Sequence, residues 1–456
     1  LEFRRVLFRS HIAKYYTAGD TKFPERMKPI SLHSPIDAEG RLPSIAELND
    51  KIASLTFAQY QLLDYVVPAA QSKYEDLYGD TWGKDFDSQV NRTRAVAGLM
   101  RVNLLKRMES SIEAFRITLD RISEGNAAVV EMLEYGDRQR ASEMAQLLAD
   151  MEDEDAADFA AAGKVAVAPT DLDRLKLSQA LDYDKSILEE LKAYASEITV
   201  DRDAKLHELR AFIDGKMSNP VNPGNRKILV FSAFADTVEY LFRELASDLA
   251  ENYGLECALV TGNGAKTHSL KLRKTTFENV LAHFSPVSKE LSERSRQEGE
   301  IDILFATDCV SEGQNLQDCD CLVNYDIHWN PVRIIQRFGR VDRLGSANER
   351  IQLVNFWPDI ELDEYIQLEG RVKGRMVLLD TSATGEENVL EGKANQEMND
   401  LKYRRQQLQQ LQEEVLNLED ISGGISITDF AFDDFRVELQ RYVADHPGLL
   451  EGAPCG

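Results

Sequence analysis

Hydrophobic and polar positions change period along this chain. Over residues 45–75 and 88–130 the apolar residues recur at helical spacing. In NRTRAVAGLMRVNLLKRMESSIEAFRITL, Val96, Leu99, Val102, Leu105, Ile112 and Phe115 approximate one face, and Arg92, Arg94, Arg101, Lys106, Arg107 and Arg116 decorate the remainder. This predicts an amphipathic helix with a solvated basic face; contact to a nucleic-acid strand is the second reading. Residues 170–215 are again helical. From 227 the pattern becomes short apolar runs alternating with amphipathic stretches. KILVF (227–231), ECALVTG, IDILFATD, CLVNYD and RIQLVNFW (350–357) read as strands. DTVEYLFRELASDLAENYG reads as a helix capped by Asp236 and closed by Gly254, and LKLRKTTFENVLAHF as a second. HWNPVRIIQRFGRVDR reads as a third, with Asn330 as N-cap and Pro331 at the first helical position. Strands alternating with helices predict an α/β fold: a parallel sheet covered by helices on both faces, flanked by mainly α-helical N- and C-terminal regions. Ligands of such sheets sit beyond the carboxyl ends of the strands.

Composition shifts mark the divisions. KMSNPVNPGNRK (216–227) concentrates proline, glycine and asparagine and predicts a linker. The expected organisation is a mainly helical region over 11–215, a linker over 216–227, an α/β lobe over 228–380 and a helical extension over 381–456 that reads as truncated. In that extension Leu401, Leu408, Leu411, Val415 and Leu418 follow a heptad too short for a free coiled coil, which suits packing against the body. The opening LEFRRVLFRS lacks an initiator Met and joins abruptly to HIAKYY, so it is set aside as a candidate non-native scar. Between 131 and 163, Glu131, Glu134, Asp137, Glu143, Asp150, Glu152, Asp153, Glu154, Asp155 and Asp158 face only Arg138 and Arg140. That segment predicts a polar helix or a partly disordered insertion. Its DEDA string superficially resembles an ATPase Asp-Glu box. Such a box needs a buried apolar strand before it, and the preceding MAQLLADME has helical character.

Bulk composition narrows the class. No apolar run reaches the roughly 18 residues needed to cross a membrane, so no membrane partner is expected. Cys257, Cys309, Cys319, Cys321 and Cys455 are an odd, scattered set, which suggests reduced thiols in a cytoplasm. Cys319 and Cys321 stand without a nearby histidine or second pair, so no metal site is expected. The net charge of −25 would repel nucleic acid if it were uniform, which makes its distribution matter more than its sum.

The strand ends carry the candidate chemistry. In ATDCVSEGQNLQ (306–317), Thr307 and Asp308 sit where a strand stops, Gly313 lets a backbone approach a ligand, and Asn315 both donates and accepts. Ser232 follows the first strand; Thr261 and Gly262 follow the second. Small hydroxyls and glycines there suit phosphate oxygens, and ordinary turn chemistry accounts for any one of them alone. QRFGRVDR (336–343) then places Arg337, Arg340 and Arg343 at every third position of the predicted helix, within roughly a third of its circumference. Like charges on one face need an anion opposite. Arginine forks to phosphate oxygens and stabilises charge developing during phosphoryl transfer, an arginine-finger role. The alternative is an ion-pair cluster with Asp342.

From about 226 to 380 the chain resembles the second RecA-like lobe of superfamily 2 helicases and translocases. VFSAFADTVEYL resembles motif IV, ILFATDCVSEGQNLQDCDCLVNYDIHWNP motif V with its extension, and QRFGRVDRLG motif VI. The wording is closest to the Swi/Snf-like group, particularly bacterial HepA/RapA-like proteins, and LLKRMESSIEAF resembles their inter-lobe region. The resemblance implies that Arg340 and Arg343 are arginine fingers oriented by Gln336, and that Gly313 and Asn315 lie near the nucleotide. It implies that Ser232, Thr261 and Thr307 lie near the nucleic-acid backbone, with Arg337 pairing inside the lobe. It also implies ATP with Mg, and nucleic acid as partner, DNA ahead of RNA. One departure is Ser346 after Gly345, where Swi/Snf-type motif VI usually ends in Gly-Gln. The printed sequence contains neither a G-x-x-x-x-G-K-[ST] loop nor an Asp-Glu box on a strand. GNGAKT (262–267) reads as the loop after the second strand. The expectation is therefore the C-terminal portion of an ATP-dependent nucleic-acid helicase or translocase whose missing N-terminal lobe holds the phosphates and Mg, so that this chain alone hydrolyses ATP poorly or not at all. The alternative is a non-catalytic RecA-like module binding nucleic acid or a protein partner; the intact Gln336, Arg340 and Arg343 favour the first.

Overall fold

The computed structural model describes residues 23–82, 85–135, 167–310, 314–327, 331–343 and 345–357. Gly313, Asn330, the acidic stretch beyond Tyr135 and the heptad segment lie outside the described residues.

Five helices build the first region: α1 (Ile45–Ser54), α2 (Gln71–Trp82), α3 (Phe86–Ser110), α4 (Ile112–Tyr135) and α5 (Arg174–Glu197). They enclose one core that includes Leu48, Ile52, Leu104, Phe115, Leu119, Leu181 and Leu188. The helix expected to show a solvated basic face is instead buried around most of its girth, with Val90, Val96, Met100, Leu104 and Met108 all inside. Three of its cations serve the fold. Arg94 pairs with Asp64 (2.9 and 2.5 Å), Arg101 donates to the Leu55 carbonyl at 2.7 Å, and Arg107 is only 3% exposed. The predicted continuous helix also breaks. Ser111 is extended (φ −158°, ψ 150°), and its Oγ accepts from Ala114 N at 3.1 Å, so one residue ends α3 and caps α4.

Helix α6 (Ala204–Ser218) is capped by Asp203, which accepts from Leu206 N at 2.9 Å. It runs into the stretch expected as linker, because Lys216 is buried in an ion pair with Asp320. The sheet follows: β1 (Glu25–Arg26), β2 (Ile30–His33), β3 (Ile228–Phe231), β4 (Cys257–Thr261), β5 (Gly264–Thr267), β6 (Ile303–Ala306), β7 (Cys321–Asn324) and β8 (Arg350–Trp357). Their order is β1-β8-β7-β3-β6-β4-β5, with β2 also on β8. Every ladder is parallel except β4–β5. Strands β3, β4, β6 and β7 are buried at every position, as a sheet covered on both faces requires. Alternate residues feed two cores. Ile228, Val230, Leu259, Phe305 and Val323 pack with α6 and α7 (Ala235–Tyr253). Leu229, Phe231, Val260 and Leu304 pack with α8 (Phe277–Phe284) and with Phe338. A single-turn α9 (Glu293–Arg296) precedes β6, and α10 (Pro331–Phe338) precedes β8. The expected α/β lobe with its parallel sheet is present.

Five local expectations change. Asp236 does not cap α7. The N-cap position is Phe234, and the Asp236 carboxylate is drawn to Arg107 and Arg121. GNGAKT is not a loop but a hairpin. Gly262 and Asn263 form a two-residue turn, and β5 folds back on β4 with Thr261 opposite Gly264. The second predicted helix is shorter than expected and starts only after Thr276 caps it. Residues 25–33, expected in the helical region, are an edge of the sheet. Ile30–His33 pair in register with Val354–Trp357, and Gln352 Nε2 donates to the Lys28 carbonyl at 2.8 Å. Finally, α10 stops at Phe338, so Arg340 and Arg343 lie in the turns after the helix and the three arginines share no helical face.

Candidate nucleotide and nucleic-acid edge

The registers bring four strand ends together. Phe231 pairs with both Ala306 and Asn324, and Val260 with Ala306, so the residues after β3, β4, β6 and β7 line one carboxyl edge. Arg337 comes to this edge from α10 and is 0% exposed. Its Nε and Nη2 donate to the two carboxylate oxygens of Asp308, both at 2.6 Å. Its Nη1 donates to Asn324 Oδ1 at 3.1 Å and to the Asp326 carbonyl at 3.4 Å, and the guanidinium lies 5.3 Å from the Phe231 ring centroid. One side chain thus ties α10 to the ends of β3, β6 and β7. Asn324 in turn donates to Asn355 Oδ1 at 2.8 Å, which extends the network to β8.

The turn after α10 is stitched to the segment after β6. Leu316 N donates to the Arg340 carbonyl at 3.1 Å. Arg343 donates through Nη2 to the Gln314 carbonyl (3.3 Å) and through Nε to the Gly339 carbonyl (3.1 Å). Arg343 therefore stands beside half-buried Asn315, while Gln336 is half-buried on α10. Asp342 accepts from Arg26 of β1, through Nε at 2.8 Å.

The three hydroxyl residues are placed differently. Thr261 and Thr307 close strand ends and are 5% and 3% exposed. Thr261 Oγ1 accepts from Asn263 N at 3.3 Å, and Thr307 Oγ1 donates to Cys309 Sγ at 3.2 Å. Ser232 is fully buried beneath the α3–α4 break. Its hydroxyl donates to Asp326 and lies 3.3 Å from Ser110 Oγ. Ser110 donates to the same carboxylate at 2.6 Å, and Ala233 N at 2.8 Å. Ser110 and Ser111 each lie 2.8 Å from Thr237 Oγ1. Lys205 Nζ donates to the carbonyls of Glu109 (2.6 Å) and Ser110 (3.0 Å), over the Tyr325 ring. Burial pushes its ammonium below the usual lysine range. Sequence reasoning missed Arg26 and Asp326, because neither lies in a periodic pattern that announces a distant partner.

Among the described residues, no group of three His, Cys, Asp or Glu could hold a metal ion, and none of the four cysteines is in a disulfide. No described helix is long and apolar enough to cross a membrane.

Residues 205–345 match the helicase conserved C-terminal domain. That span runs from α6 through the turn carrying Arg340 and Arg343. The chain is 41% identical over 68 residues to an uncharacterized ATP-dependent helicase, YqhH, of Bacillus subtilis, covering 15% of this chain and 12% of that protein. It is 34% identical over 116 residues to DEAD-box ATP-dependent RNA helicase 10 of Arabidopsis thaliana, covering 24% of each. It is 27% identical over 123 residues to putative ATP-dependent DNA helicase fml2 of Schizosaccharomyces pombe, covering 27% of this chain and 14% of that protein. The matched stretch thus spans a quarter or less of each relative.

Proposed function

We propose that this chain supplies the C-terminal lobe and an adjoining helical region of an ATP-dependent helicase or translocase of the Swi/Snf-like group, acting on nucleic acid, DNA ahead of RNA. The observation that carries the reading is the stitching of the Arg340–Arg343 turn to the 314–316 segment, on a helix fixed by buried Arg337. In this reading Arg340 and Arg343 are arginine fingers, Gln336 orients them, and Gly313 and Asn315 border the nucleotide. The Arg343 guanidinium, positioned by carbonyls at Nε and Nη2, needs little reorganisation to present its remaining N–H groups when charge develops on a γ-phosphate opposite it. Thr261 and Thr307 contribute to the nucleic-acid track through the turns they shape. Ser232 is left to the packing of the lobe against the helices. In this reading an opposing lobe holds the rest of the triphosphate and the Mg.

The test is reconstitution. With a first lobe carrying a G-x-x-x-x-G-K-[ST] loop and an Asp-Glu box, nucleic-acid-stimulated ATP hydrolysis should appear; this chain alone should show none. Assays with DNA and with RNA separate the two polymers. In the reconstituted protein Arg343→Ala should lower turnover by about 10³-fold or more while ATP, held mainly by the opposing lobe, still binds. Full turnover in that variant would remove the finger role.

A further inference from the structure

Lys289 lies in the loop between α8 and α9, in a stretch that no sequence motif singles out. Several contacts build that loop. Asp318 accepts from the N–H groups of Val287 (2.6 Å) and Ser288 (2.9 Å) and from the Ser288 hydroxyl. Arg296 reaches back to the carbonyls of Pro286 (3.0 Å) and Leu291 (3.2 Å). Leu291 N donates to the Pro286 carbonyl at 2.9 Å, closing the turn. Inside it Glu290 adopts φ 51°, a left-handed conformation that costs a non-glycine residue energy. Strain of this kind persists where surrounding contacts over-determine the backbone, and it concentrates at ligand sites. Here it accompanies a half-buried Lys289 whose Nζ donates to Gln314 Oε1.

Gln314 is the residue whose carbonyl accepts from Arg343. A lysine and an arginine from separate segments therefore hold the side chain and the main chain of one residue. Burial, and then the nearby Arg343, hold the Lys289 ammonium below the usual lysine range. Two cations from separate segments, one of them on a loop with a strained residue, meet at Gln314. The same arrangement suits an anion bridging both, because a phosphate offers several oxygens to a guanidinium fork and an ammonium at once.

We propose that Lys289 and Arg343 together form a phosphate-binding site at the margin of the 314–316 segment. The inference rests on the reading that Arg343 faces phosphate, and it adds Lys289 as a second ligand. The phosphate belongs to a nucleotide or to a nucleic-acid backbone, and the test separates these sources.

The full chain is titrated with ATP by calorimetry, and with a short fluorescein-labelled DNA duplex and a labelled RNA strand by anisotropy over a range of salt. Lys289→Met keeps most of the length of the side chain and removes its charge; Lys289→Arg keeps the charge. Lys289→Met should weaken the phosphate ligand about tenfold. For a nucleic acid it should also reduce the salt slope by about one. Lys289→Arg should recover most of the loss. A loss confined to ATP assigns a nucleotide phosphate, and one confined to the oligonucleotides assigns a backbone phosphate. Unchanged binding in Lys289→Met, or a wild-type chain that binds none of the three probes, overturns the site. Arg343→Ala run alongside separates the two readings: weakened binding there, with Lys289→Met unchanged, removes only the lysine. An independent readout is the acylation rate of Lys289 in the wild-type chain, followed by mass spectrometry. ATP or an oligonucleotide should slow it, and an unchanged rate under saturating probe also overturns the proposal.

Discussion

Arg337→Met would remove one guanidinium from the interior of the lobe and show whether this arginine holds the edge together. Methionine restores much of the volume, so little of the cost comes from a cavity. The loss lies in the polar partners. Asp308 loses a bidentate ligand held at 2.6 Å on both oxygens, and Asn324 Oδ1 loses a donor at 3.1 Å. Breaking a buried ion pair from one side costs about 3–5 kcal/mol. Asp308 keeps 25% side-chain exposure, so water moderates its share to about 2–3 kcal/mol. The donor lost to Asn324 Oδ1 adds about 1 kcal/mol. The expected destabilisation is therefore about 3–4 kcal/mol, a large fraction of the roughly 5–15 kcal/mol that holds a domain. Urea titration measures the total. The helices and the lobe have separate cores, so hydrogen exchange must locate it, with faster exchange in β6, β7 and α10 and little change in α1, α2 and α5. Arg343→Ala is the control: half-buried and bonded to two carbonyls, it should cost about 1 kcal/mol or less. A loss below about 1 kcal/mol for Arg337→Met, or one spread equally over both regions, would refute the assignment of Arg337 as anchor.

Further outcomes follow from groups away from the fingers. Lys216 and Asp320 are 2% and 0% exposed, so Lys216→Met should cost about 3–5 kcal/mol by urea titration, and adding Asp320→Asn should recover part of it; equal stability of wild type and single variant contradicts the pairing. Burial pushes the Asp203 carboxyl up while it accepts from Leu206 N and Tyr240 Oη, both at 2.9 Å. A folded-state value above the unfolded one means that this group favours folding at low pH, and that the contribution is lost as pH rises through the folded value. Asp203→Asn keeps an acceptor and should remove that slope, leaving stability at neutral pH equal or higher; a less stable variant there refutes the argument. In a Cys455→Ser chain, exposed Cys309 should react with a thiol reagent under native conditions, whereas Cys257, Cys319 and Cys321 should react only on unfolding. Burial raises all three, Cys319 to about 12, so prompt reaction of a second thiol counts against their burial.

The sequence made some features legible and hid others for identifiable reasons. The buried strands were legible because a parallel sheet covered on both faces reads as uninterrupted apolar runs, as in ILVF and CLVN. Gly254 closed its helix as expected, with φ 61° and a Gly254 N to Ala250 O bond of 2.9 Å. The β4–β5 hairpin has a readable signal in the Gly-Asn dipeptide between its strands. The β2 edge had none: ISLH is short and half exposed, and its partner lies at the far end of the described chain. The arginine row misled because spacing suggests a helix, whereas the chain turns at Gly339 to bond the 314–316 segment. The basic face of α3 misled because periodicity does not reveal that other helices and the lobe cover the remaining sides.

That covering gives the α3–α4 break its meaning. Ser110, Ser111, Arg107 and Arg121 from the helices meet Ser232, Thr237, Asp236 and Asp326 from the lobe, and Lys205 at the start of α6 caps the final carbonyls of α3. Partial separation would leave several buried groups unsatisfied together: the Asp326 carboxylate would lose Ser110, Lys205 its carbonyls and Asp236 its arginines. Each loss costs more inside the protein than in water, so the junction resists sliding and opens, if at all, as a unit. Its lobe side consists of the residues just after β3 and β7, and the Asp326 carbonyl also accepts from Arg337. A shift of α10, where the proposed fingers begin, is therefore mechanically linked to the helices through Asp326. A surface loop in the same place would have transmitted little; a buried polar contact, satisfied on both sides, couples the carboxyl edge of the sheet to the helical region.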